Sequence, residues 1–81
     1  MSGLEIRGQP VYVTTHAIIR AREREISYPD QIYRVIKTGK VERFGKNGIK
    51  FIGKRSKKGC IICVGEDLGE NIIIKTVERG N

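Results

Sequence analysis

His16, Arg20 and Arg24 are each four residues apart, so a helix carrying them sets all three side chains on one face. An imidazole moves protons near neutral pH. A guanidinium holds a phosphate through paired N–H bonds and offsets charge that develops during its transfer. Together the three residues form a candidate catalytic trio for phosphodiester chemistry. The plainer alternative is a solvated face in which the arginines pair with Glu23 or Glu25 and His16 caps or packs.

The second asset is charge. Sixteen Lys and Arg stand against nine Asp and Glu, a net charge of +7. Ten of those cations and one acid, Glu42, fall between Arg34 and Lys58, so that stretch carries +9 and the remainder −2. So one-sided a field attracts polyanions through counterion release. Lys50, Lys54, Arg55, Lys57 and Lys58 are the candidate nucleic-acid contacts, the last four on a loop between Gly53 and Gly59. A hairpin tip of this kind reaches phosphates whatever the base sequence. Phe44 and Phe51 fall on expected strands as core residues, so base-specific reading is not indicated.

These residues need a frame. At 81 residues the chain is one domain with one core. Residues 1–10 show no periodicity and read as a flexible arm, leaving residues 11–81 as the folded domain. Val11–Val13 is a candidate short extra strand. Thr14 or Thr15 caps a helix from about His16 to Glu25, with Ala17, Ile18 and Ala21 on its inner stripe. Ser27 and Asp30 look like a capping box around Pro29, opening a second helix. Tyr28, Ile32, Val35 and Ile36 mark that helix's apolar face, and Gly39 its end. Strands follow over Val41–Phe44, Ile49–Ile52, Cys60–Val64 and Asn71–Val77, with Asn47-Gly48 as a hairpin turn. The expected fold is α+β: two N-terminal helices packed on an antiparallel sheet of about four strands.

Two motifs are set aside. Cys60 and Cys63 have redox or half-zinc spacing, but they lie on an expected strand that turns them to opposite faces. No second cysteine pair completes a metal site. Gly48 to Lys54 has the spacing of a phosphate loop, but its middle is an apolar strand and Arg55 replaces the magnesium-binding hydroxyl. No metal or cofactor is expected. No signal segment or membrane-length apolar run appears, so a cytoplasmic protein with no membrane partner is expected.

The run His16-Ala-Ile-Ile-Arg20-Ala-Arg-Glu-Arg24-Glu-Ile26-Ser27 resembles the opening signature of a widespread family of small proteins of unknown function. That family is similar in element order to the RelE, ParE and BrnT-type toxins. The resemblance implies a RelE-like fold, metal-independent RNA cleavage, often on the ribosome, and inactivation by an antitoxin. It carries over His16, Arg20 and Arg24. Such toxins often place a further catalytic Tyr, His or Lys on or after the late strands. Here the chain offers Thr76, Glu78 and Arg79 as additional candidates.

Three expectations follow. The first is a small basic domain that binds RNA or the ribosome and cleaves RNA. The second is a non-catalytic nucleic-acid-binding module. The third is an interaction domain whose open sheet edge pairs with an acidic antitoxin-like protein or, as a homodimer, with itself. Thirteen Ile with two Gln and three Asn lean toward a heat-adapted source, codon bias being the plain alternative.

Overall fold

The computed structural model describes residues 4–80. The elements are β1 (Leu4–Ile6), β2 (Gln9–Val13), α1 (Thr15–Glu23), α2 (Asp30–Thr38), β3 (Lys40–Phe44), β4 (Gly48–Ile52), β5 (Cys60–Asp67) and β6 (Ile72–Gly80). One six-stranded sheet holds every strand, in the order β1-β2-β6-β5-β4-β3. Its pairs are antiparallel except β2 with β6, which run parallel.

The expected fold, two helices on about four antiparallel strands in a RelE-like arrangement, is therefore corrected. The sheet is mixed, has six strands and curls into a half-barrel, with two short helices and 48% of the described residues in strand or bridge. The difference begins at the N-terminus. Residues 4–10 of the expected arm supply β1, its turn and the start of β2, which form a hairpin, and Leu4 and Val11 are buried in the core. The turn takes positive φ at both Arg7 and Gly8, the pair of left-handed residues that suits a right-twisted hairpin. Residues 1–3 lie outside the described residues.

α1 begins where Thr14 Oγ1 accepts from the Ala17 N–H at 3.1 Å, which satisfies a free helix donor. It buries Ala17 and Ala21 and packs against β6. Small residues on that stripe allow a close approach. At the other end Ile26 N donates to the Ala21 carbonyl and Glu25 N to the Arg22 carbonyl. This is a Schellman ending, and Glu25 takes its left-handed position at φ 59°. Ile26 then drops into the core.

α2 starts at Asp30 rather than Ser27. The capping exchange runs between Ser27 and Gln31: Ser27 N donates to Gln31 Oε1 and Gln31 N to Ser27 Oγ. Asp30 takes no part in it. Ile32, Val35 and Ile36 are buried as the spacing requires. Tyr28 instead stands exposed, edge-on to Tyr33. Gly39 is extended at φ −75°, not left-handed. Its reason is space, since a Cβ there would lie 2.5 Å from the Val35 carbonyl oxygen and 2.6 Å from that of Ile52.

Alternation assigns the sheet faces. Ile49, Phe51, Cys63, Ile72, Ile74 and Val77 point to the helix side and are buried. The step from Ile74 to Val77 breaks the two-residue period because the register shifts at Val64/Gly65, leaving Lys75 as an extra residue. Arg79 consequently faces the helices, while Thr76 and Glu78 face away. Gly65 is required at the shift, because a Cβ would collide with the Ile73 carbonyl.

Candidate nucleic-acid interface

α1 presents His16, Arg20 and Arg24 on one face, as their spacing dictates. His16 and Arg20 are exposed and Arg24 is half-buried. Arg20 Nε makes a long contact of 3.5 Å to His16 Nε2. Arg24 Nη1 donates to the Arg20 carbonyl at 3.4 Å. Glu23 lies between the guanidiniums, its Oε1 3.2 Å from Arg20 Nη1 and 3.8 Å from Arg24 Nη1. The pairing with Glu23 anticipated as the plain alternative is thus present, and one carboxylate offsets part of the trio's charge. Among the described residues no second proton-transferring side chain is bonded to His16.

A stronger concentration of charge lies on the same side of the sheet, in a groove of about 630 Å³. One wall is α2, presenting Gln31, Arg34, Val35 and Thr38. The other is the β4–β5 loop, presenting Lys54, Ser56 and Lys58, and Arg79 closes the end nearest α1. The floor is apolar, formed by Val35 and Ile61 beside Gly53. Among the described residues Arg34, Lys54, Lys58 and Arg79 make no ion pair. Glu25 is the one acid in the lining.

The loop that carries the lysines is shaped by its own hydrogen bonds. Ser56 N donates to the Gly59 carbonyl and Gly59 N to that of Ser56, both at 2.9 Å. Ser56 Oγ donates to the Gly59 carbonyl at 2.9 Å and accepts from Lys58 N at 3.3 Å. Gly59 supplies positive φ at the corner. The result is a closed turn over Ser56–Gly59 that fixes the backbone from which Lys58 projects. Arg79 is oriented by Nη2 donating to the Arg24 carbonyl at 3.1 Å, one of the carbonyls a helix end leaves open.

The expected contacts divide. Lys54 and Lys58 line the groove, and Arg55 and Lys57 are exposed on the same loop outside its lining. Lys50 is on the opposite sheet face, its Nζ 5.5 Å from the Phe44 ring centre, and does not join them. Of the late-strand candidates, Arg79 belongs to the groove, whereas Thr76 and Glu78 point away from it. Sequence reasoning passed over Arg34, although Gln31, Arg34, Val35 and Thr38 have the spacing of one helix face. Placing that face against the loop takes tertiary structure.

Cys60 and Cys63 do occupy opposite faces: Cys63 is fully buried and burial pushes its thiol pKa up to about 12, while Cys60 is half-buried. Asp67, in a second hollow between the turns, accepts from the Gly69 N–H, Arg43 Nη1 and Gln9 Nε2, each at 2.9 Å. It ties three segments together and is structural. Among the described residues no three His, Cys, Asp or Glu side chains group as metal ligands would, and no helix is long and apolar enough to cross a membrane. Set beside known proteins, the chain matches no family model, no curated protein and no solved structure.

Proposed function

We propose that the chain binds the sugar–phosphate backbone of RNA, free or in the ribosome, in the groove between α2 and the β4–β5 loop. The observation that carries this reading is the convergence of Arg34, Lys54, Lys58 and Arg79 on one groove without ion pairs among the described residues. Unpaired cations lose little when a phosphate arrives, and each phosphate contact releases condensed counterions. The resemblance of the run from His16 to Ser27 supports RNA as the polyanion. Arg24, joined to Arg79, extends the cationic track from the groove onto α1. Fluorescence anisotropy with a labelled RNA strand tests the reading. Binding weakens as salt rises, and the Lys54→Glu/Lys58→Glu variant loses at least tenfold in affinity with a shallower salt slope. Unchanged affinity in that variant would overturn it.

Metal-independent cleavage of the bound strand is a second reading, favoured by the exposed contact between His16 and Arg20. Its assay is RNA breakdown in EDTA by the wild type and by His16→Ala. Loss of products only in the variant supports His16 as the acid–base group. Equal breakdown by both proteins, or by neither, removes it.

A further inference from the structure

We propose that the sheet face turned away from the helices pairs with a second copy of this chain, giving a symmetric dimer of two stacked sheets. Both helices cover the opposite face, so among the described residues this one has no layer over it. At its centre are Ile52, Ile62, Val64 and Ile73, all half-buried, and toward its ends Phe44 (44% exposed) and Tyr12 (56% exposed). A cluster of half-exposed apolar side chains on an uncovered sheet face, ringed by charged ones, marks an interaction surface.

Its charges identify the occupant. On β3 to β6 this face carries Lys40, Lys50 and Lys75 against Glu42, Glu66 and Glu78, an even balance in a chain of net charge +7, with Lys40 3.7 Å from Glu42 and Lys75 3.0 Å from Glu66 within the subunit. An even balance suits neither a polyanion nor a strongly acidic peptide. It suits a surface of the same composition, provided opposite signs meet.

The register makes them meet. Lys40, Ile52, Ile62 and Glu78 form one row across β3, β4, β5 and β6, and Glu42, Lys50, Val64 and Thr76 form the next. A two-fold axis along the strands between β4 and β5 lays each row on its own reverse. Lys40 then faces Glu78 of the second copy, Ile52 faces Ile62, Lys50 lies over Val64, and Glu42 faces the Thr76 hydroxyl. Phe44 meets Ile73, with Tyr12 at the rim. No like charges oppose one another in either row. Aligned stacking of two twisted sheets at about 10 Å separation is a standard packing mode, and a two-fold interface is self-complementary in this way. The groove stays open on the outside of each subunit.

Sedimentation equilibrium of the reduced protein from micromolar to millimolar concentration tests the proposal. The expected mass is twice the 9.1 kDa of the chain. Ile62→Glu shifts it to the monomer while far-ultraviolet circular dichroism stays unchanged. Lys40→Glu alone weakens association at least tenfold, and Lys40→Glu/Glu78→Lys restores it, because the swap re-forms both pairs. A monomer throughout the range would overturn the proposal. So would a dimer that survives Ile62→Glu, or a double variant that associates no better than the single one.

Discussion

Arg79 Nη2 donates to the main-chain carbonyl of Arg24 at 3.1 Å, bridging the last strand and the end of α1 across 55 residues of sequence. Arg24 in turn donates to the Arg20 carbonyl. The cationic stripe of the first helix is thereby continuous with the groove that Arg34, Lys54 and Lys58 line. The bulge at Lys75 turns Arg79 toward the helices. Were Lys75 paired in regular register instead of bulged out, Glu78 would occupy the inner face and place an acid at the groove mouth.

Glu25 holds the left-handed position at the end of α1 and is also the acid in the groove lining. A side chain there costs about 1–2 kcal/mol over glycine, and glycine returns about 0.5–1 kcal/mol of that as unfolded-state entropy. Glu25→Gly is expected to stabilise the fold by about 0.5–1 kcal/mol in urea melts and to tighten RNA binding several-fold. A destabilised variant would contradict the Schellman assignment.

Asp67 gives the fold an acid-sensitive fastening. The Gly69 N–H, then the Arg43 guanidinium and the Gln9 amide, hold its carboxyl at about 2, below the ordinary 3.8. Because the folded pKa is depressed, the stabilisation is full above about pH 4 and is lost as pH falls toward 2. Wild type is expected to lose more stability than Asp67→Asn between those values, as measured by urea midpoints across that range. Parallel pH profiles would show that the carboxylate is not involved.

Gly39 is a test of packing rather than of backbone sign. With φ of −75° an alanine is conformationally allowed, but its Cβ meets two carbonyl oxygens. Gly39→Ala is expected to cost about 1–3 kcal/mol by crowding, whereas Gly45→Ala meets no neighbouring atom and costs only its positive φ. A neutral Gly39→Ala in the same melts would mean that α2 can lift from β4.

The parts of the fold legible in the sequence are those set by local chemistry. Thr14 caps α1; Ala17 and Ala21, and Ile32, Val35 and Ile36, fall inward because helix spacing puts them there. The unread parts are set by distant partners. Leu4–Ile6 is too short to show a period, and its turn begins with Arg7, a residue with no turn preference. The parallel pairing of Val11–Val13 with Ile72–Ile74 joins segments some 60 residues apart, and nothing local announces it. At the site, the stripe from His16 to Arg24 was legible, but Glu23 between the guanidiniums is settled only by rotamers. The groove was half legible. Lys54 and Lys58 stand out as a run, whereas Arg34 and Arg79 join them only once α2 and β6 are in place.

The most direct measurement is a titration of the nitrogen-15-labelled protein with a short RNA strand, followed by amide and arginine side-chain chemical shifts. Binding in the groove shifts Gln31, Arg34, Lys54, Ser56, Lys58 and Arg79 first and leaves Lys50, Val64 and Thr76 on the far face unmoved. Shifts centred on that far face, or none at a concentration where anisotropy detects the complex, would contradict it.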